Sequence, residues 1–127
     1  HSYSSAASDV YKRQQDNSVM HLENDQGVTI GDDVTIGHKA IIHGCDIKDG
    51  ALIGMGSIIM NGATIGKGAV IGAGAVVTEN MLVPDLALVI GVPGKIIKTL
   101  PPETFQNNVN WARKYVQLSK IHKEQKN

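Results

Sequence analysis

From Ile30 onward a single aliphatic residue recurs at every sixth position. Ile30, Ile36 and Ile42 are followed, after one five-residue step, by Ile47, Ile53, Ile59, Ile65, Ile71, Val77, Val83 and Val89. Glycine comes directly after the aliphatic residue at Gly31, Gly37, Gly54, Gly66 and Gly72. A small or modest side chain lies four positions on, at Val34, Ala40, Ala51, Ser57, Ala63, Ala69, Ala75 and Ala87. An amphipathic helix repeats every 3.6 residues and a half-buried strand every two, so neither template fits. One inward aliphatic residue per six describes one side of a triangular coil. Three sides, about 18 residues, close the coil and lay the next strand about 4.8 Å above the last. The aliphatic side chains then fill an axial core, each contributing about 1.5–3 kcal/mol on burial. Gly, Asn and Asp at the corners supply the freedom to turn.

The expected fold is all-β: a parallel β-helix of hexapeptide repeats in a triangular prism, followed by a C-terminal α-helix. Repeats of this kind are known for a left-handed coil, which spacing alone does not dictate. The prism is expected to end at Gly91-Val92-Pro93-Gly94-Lys95. Pro101 and Pro102 precede an expected helix of about twenty residues, with Thr99 as its N-terminal cap. Phe105, Val109, Ala112 and Val116 form one apolar stripe on it, and Trp111, Tyr115 and Leu118 a second. Two adjacent stripes imply packing against the prism and against another subunit. At the other end, HSYSSAASDVYKRQ is serine-rich and aperiodic, with no h-region or cleavage signal. It reads as a non-native or disordered segment. The expected plan is therefore residues 1–14 non-native or disordered, 15–98 β-helix, 99–122 helix and 123–127 a frayed tail.

Composition narrows the partners. Lys plus Arg equals Asp plus Glu at 12 each, so the formal net charge is zero. No general electrostatic attraction draws the chain to nucleic acid or to an anionic membrane. No apolar run approaches the roughly 18 residues of a spanning helix. A single cysteine, Cys45, excludes an intrachain disulfide framework. Neither nucleic acid nor membrane is expected as a partner, and the expected location is cytoplasmic.

The histidines carry the candidate chemistry. His1 lies in the foreign segment and His122 near the frayed end, which leaves His21, His38 and His43. Gln15 to Met20 fits one six-residue side. Met20 to Ile30 is one side plus a four-residue insertion within Glu23-Asn24-Asp25-Gln26-Gly27. Met20 and Ile42 are then one full coil apart. His21 and His43, each directly after its aliphatic residue, stack on one edge at one strand spacing and can share an ion. His38 sits one side earlier, roughly 15 Å along the wall at about 3.3 Å per residue. Metal–nitrogen bonds are near 2.1 Å, so His38 does not complete that site within one chain. A three-fold trimer brings His38 of a neighbouring chain to the His21/His43 edge. Three neutral imidazoles with an open fourth position suit a catalytic divalent metal: zinc first, with iron(II) or cobalt as alternatives.

These residues resemble the γ-class carbonic anhydrases and their close bacterial homologues. The resemblance runs from Gln15 to about Leu118. It rests on Gln15-Asp16-Asn17-Ser18-Val19-Met20-His21, on Ile36-Gly37-His38-Lys39-Ala40-Ile41-Ile42-His43-Gly44-Cys45 and on Ile53-Gly54-Met55-Gly56. It implies a homotrimer of left-handed β-helices with metal at the subunit interfaces, held by His21 and His43 of one chain and His38 of the next. It implies reversible hydration of carbon dioxide to bicarbonate by a metal-bound hydroxide, with Gln15 and Asp16 orienting hydroxide or bicarbonate and Tyr115 near the site. The family also carries an Arg and an Asp in earlier coils, and an acidic proton-shuttle loop in its archaeal prototype. Neither is recognisable here, so the chain reads as N-terminally truncated and its activity as weak or lost in this form. Glu23 and Asp25 read as solvated loop charges. The main rival is a hexapeptide acyltransferase using acetyl-CoA, which shares a segment like Gly91–Lys95 and uses one histidine as general base. A non-catalytic scaffold on the same prism is the third reading. The one slip and the one insertion in the repeat both adjoin the proposed metal edge.

Overall fold

The structure, a computed structural model, describes the backbone of residues 19–20 and 27–126 and the side chains of residues 27–118. Eleven two-residue strands come first: β1 (Val19–Met20), β2 (Thr29–Ile30), β3 (Thr35–Ile36), β4 (Ile41–Ile42), β5 (Asp46–Ile47), β6 (Leu52–Ile53), β7 (Ile58–Ile59), β8 (Thr64–Ile65), β9 (Val70–Ile71), β10 (Val76–Val77) and β11 (Leu82–Val83). Two longer strands, β12 (Ala87–Ile90) and β13 (Lys95–Thr99), and one helix, α1 (Glu103–Lys126), complete the described chain. The strands form three sheets around a left-handed parallel β-helix. The first sheet is β1-β4-β7-β10, the second β2-β5-β8-β11 and the third β3-β6-β9-β12-β13.

The repeat sets the register. Met20, Ile42, Ile59 and Val77 are paired along the first sheet. Ile30, Ile47, Ile65 and Val83 are paired along the second, and Ile36, Ile53, Ile71 and Val89 along the third. From Ile30 to Val89 every repeat aliphatic is at most 3% exposed. The small residues are buried with them, and Cys45 takes the small position in the five-residue step. The slip therefore shortens the corner and leaves the core column intact. Among the described residues Ser57 is the one hydroxyl in that inner column, and it donates to Gly54 O at 2.6 Å, which satisfies it.

The corners divide the glycines into two jobs. Directly after the aliphatic residue, the backbone of the next coil passes too close for a side chain: a Cβ on Gly54 would lie 2.6 Å from Ile71 O. Two residues later the chain turns through positive φ. Gly50, Gly56, Gly62, Gly68 and Gly74 do so, with Asp33 and Asn80, which tolerate that region, and also Lys39 (φ 60°) and Leu86 (φ 62°). For a residue with a Cβ such a backbone costs about 1–2 kcal/mol. Leu86 offsets this by packing, since it is half-buried and its Cδ2 lies 2.9 Å from where a Cβ on Gly68 would sit.

The C-terminal end departs from expectation. After β12 the chain turns through Gly91–Gly94, with a cis Val92–Pro93 bond, into β13, which pairs antiparallel with β12. Thr99 pairs with Ala87 there and so is a strand residue, not the helix cap. The first helical turn is closed instead by backbone bonds from Thr104 N to Pro101 O (2.9 Å) and from Phe105 N to Pro102 O (3.3 Å). α1 begins and ends later than the expected 99–122, reaching Lys126.

α1 lies along the corner between the second and third sheets. The Phe105 ring covers Gly50, where a Cβ would meet Phe105 Cε2 at 2.7 Å. Asn108, only 6% exposed, donates through Nδ2 to Gly50 O (2.9 Å) and Gly68 O (3.3 Å). Val109 and Ala112 are buried beside it, and Arg113 pairs with Asp33 at 3.4 Å. The second stripe faces outward: Trp111 and Leu118 are exposed, and the Trp111 and Tyr115 rings meet edge-to-face at 5.0 Å.

Candidate functional site

His38 lies in the turn between β3 and β4, at the corner from the third sheet to the first, and is exposed. Its carbonyl accepts from Gly56 N at 2.8 Å, which fixes the turn onto the coil above. His43 follows β4 directly, at the corner from the first sheet to the second, and is half-buried. Its N–H donates to Ile59 O at 2.9 Å. The two imidazoles thus bound the first sheet on its opposite edges.

The shortened corner after His43 is held by a side chain. Gly44 N donates to Asn61 Oδ1 at 2.9 Å. Asp32 N to Asp49 Oδ1 and Lys67 N to Asp85 Oδ1, both 2.8 Å, repeat this arrangement at the corner below α1. In each case an Asx two positions after a repeat aliphatic caps an amide of the preceding coil. The signal was present in the sequence as Asn61, Asp49 and Asp85 at one frame position. It was missed because an Asx at a corner was read only as turn chemistry.

An open cleft of about 300 Å³ adjoins the His43 edge, lined among others by Thr29, Gly44, Asp46, Gly62 and Thr64. Thr29, Asp46 and Thr64 are in register on the second sheet. Lys48 Nζ meets Asp46 Oδ2 at 2.7 Å, and this hydrogen bond, then the charge attraction, moves the Lys48 ammonium above its ordinary range. Burial, with the Asp46 charge adding to it, pushes the Cys45 thiol up to about 12.

Tyr115 is half-buried on α1, and that helix is seated on the corner between the second and third sheets. Within one chain, then, His38, His43 and the helix bearing Tyr115 stand on three different edges. Gln15, Asp16 and His21 lie outside the described residues. The pairing of Met20 with Ile42 is the full-coil offset expected from the repeat. Among the described residues no three His, Cys, Asp or Glu side chains gather where they could hold an ion. His38 and His43 stand on opposite margins of the first sheet, and His21, the third expected ligand, is not among the described residues. Among the described residues, no helix is long and apolar enough to cross a membrane.

The family model "Bacterial transferase hexapeptide (six repeats)" matches residues 44–79. A "Probable carbonic anhydrase" of Methanocaldococcus jannaschii is 46% identical over 109 residues, covering 86% of this chain and 69% of that protein. "Gamma carbonic anhydrase 2, mitochondrial" of Arabidopsis thaliana is 34% identical over 85% of this chain and 41% of its own length. A crystal structure from Bacillus cereus, provisionally named an acetyltransferase, superposes with a TM-score of 0.77 at 41% identity. It covers 83% of this chain, and this chain spans 61% of that one. With the six-residue core, the Met20–Ile42 register and these relatives in agreement, the chain belongs to the γ-carbonic anhydrase-like family of hexapeptide-repeat proteins.

Proposed function

We propose that this chain is the subunit of a homotrimeric γ-type carbonic anhydrase that interconverts carbon dioxide and bicarbonate at its subunit interfaces. The observation that carries this reading is the placement of His38 and His43 on the two edges of the first sheet. If each edge meets a different neighbour, that sheet faces the three-fold axis. Its outward residues suit this: Ile41, Ile58 and Val76 are all apolar and half-buried in the single chain. In this reading His21 and His43 of one chain and His38 of the next hold a divalent ion, zinc by preference, with iron(II) or cobalt as alternatives. When bound, such an ion supplies the Lewis acidity that brings the pKa of water from 15.7 toward 7.

The chain's own residues do the rest. Asn61 fixes the shortened corner and with it the position of His43. Gln15 and Asp16 hydrogen-bond the reacting oxygens. Tyr115 of the helix closes the site from a neighbouring chain. The cleft beside Gly44 gives small solutes access to the His43 edge. The proposed compartment is the cytoplasm, which accords with a lone buried cysteine.

Metal analysis of the purified protein is expected to find about one divalent ion per chain, together with carbon dioxide hydration. His38→Ala and His21→Ala should each lose metal, and mixed trimers of the two variants should regain it at some interfaces. Mixed trimers that stay metal-free contradict shared ligation. The likeness to the Bacillus cereus structure makes acyl transfer the second reading. Metal-free protein that binds acetyl-CoA would establish it instead.

A further inference from the structure

Lys39 occupies a positive-φ turn position that the following coils of its corner fill with glycine. In the corner from the third sheet to the first, the successive coils place Lys39, Gly56 and Gly74 in one column, all at positive φ. Outside this column the space is open: a Cβ added to Gly56 or Gly74 meets nothing within 4 Å. Lys39 itself is exposed. Among the described residues the one other bulky side chain in such a backbone, Leu86, is half-buried and packs toward Gly68. An exposed lysine in an open column gains no comparable packing from its own chain. Among the described residues of this corner it is also the sole Lys or Arg. It directly follows His38, whose edge the proposed function turns toward a neighbour. Backbone strain of this kind clusters at functional sites.

We infer that Lys39 presents its ammonium across the subunit seam as an anion-binding group for bicarbonate at the neighbour's site. This rests on the proposed function for the location of the seam, and on the backbone and exposure of Lys39 for the residue. A compact point charge on a flexible stem suits a small, freely exchanging anion. It also raises the local concentration of that anion in the cleft. The role is one of substrate binding and positioning, with no bond made or broken at Lys39.

The test uses the zinc-loaded trimer and three variants. Lys39→Asn and Lys39→Gly relax the backbone and remove the charge, while Lys39→Arg keeps the charge. Unfolding midpoints of the Asn and Gly variants should rise by a few degrees. Their zinc content and trimer mass should match wild type. Bicarbonate binding, titrated directly and checked as product inhibition of hydration, should weaken on the order of five- to tenfold. Lys39→Arg should bind as wild type does. Unchanged bicarbonate affinity in Lys39→Asn overturns the proposal, as does an arginine variant no better than the asparagine one. So does dissociation of the trimer, which would make Lys39 an interface residue, or wild-type protein that binds no bicarbonate. Midpoints that fall in the Gly and Asn variants overturn the strain argument. A zinc-loaded wild type that binds bicarbonate but hydrates no carbon dioxide removes the proposed activity while the Lys39 assignment still stands or falls on the binding titrations.

Discussion

Cys45 shows how one side chain records the price of the slip. The five-residue step removes a corner residue, yet a small buried side chain is still needed two positions before Ile47, and Cys45 fills it at 3% exposure. Burial, then the Asp46 charge, raises its thiol to about 12. The sign for stability follows directly. In the unfolded chain the thiol ionises near its ordinary value of about 8.5, while in the native state it stays protonated. The folded state therefore holds more protons between these values. The contribution is fully present below about pH 8.5 and is lost as pH rises toward 12, with a slope of up to about 1.4 kcal/mol per pH unit. Urea midpoints measured from pH 7 to 10.5 should fall more steeply for wild type than for Cys45→Ala, which places at this position the residue that the other coils use. Parallel curves for the two proteins would show that the thiol is not held protonated.

At the scale of elements, α1 is attached to the prism by few groups, and Asn108 is the most exposed to loss. Its Nδ2 serves two corner carbonyls at once, Gly50 O and Gly68 O, in a buried setting. Asn108→Ala leaves both acceptors without that donor and should destabilise the protein by about 1–3 kcal/mol. Hydrogen exchange should localise the loosening to α1 and spare the coils; a uniform loss of protection would mean that helix and prism unfold as one unit. Asn108 was not legible in the sequence, because an amide between two apolar stripes reads as a polar flank until the corner carbonyls beneath it are known. β13 was missed for a related reason. Lys95-Ile96-Ile97-Lys98-Thr99 has neither period two nor period six, and its pairing with β12 depends on the turn at Gly91–Gly94. The coils were legible because each core position repeats in the frame, so a single slip could be located to Ile42–Ile47 from spacing alone. The site was legible only in part. The frame assigned His38 and His43 to separate edges of one wall, but neither the Asn61 cap nor the strained backbone at Lys39 leaves a periodic trace.

For the whole molecule, the proposed trimer depends on which wall of the prism would meet its copies. The third sheet is approached by α1 at β3, and the second presents Thr29, Asp46 and Thr64 along the open cleft. The first sheet shows Ile41, Ile58 and Val76 outward; the third sheet has a like row in Leu52, Val70 and Leu88, so what marks the first wall is its position between the two histidine edges. In the proposed trimer, apolar rungs on a sheet with a proposed ligand on each margin would make closure of the ring and completion of each site one event. Ile58 is at the middle of that wall. In the proposed trimer, Ile58→Asp would place a carboxylate near two symmetry copies of itself, where it could be neither solvated nor paired. The variant should sediment as a monomer at micromolar concentration and lose metal in parallel, although its inner core, led by Ile59 at 0% exposure, is unchanged. Thr64→Asp on the second sheet should remain trimeric. If Ile58→Asp stays trimeric with full metal, the wall between His38 and His43 does not face the axis, and the two histidines cannot serve neighbouring sites in the way proposed. Because mass and metal are measured separately, a monomer that keeps its metal would be equally decisive, placing the ion within one chain despite the width of the wall between its imidazoles.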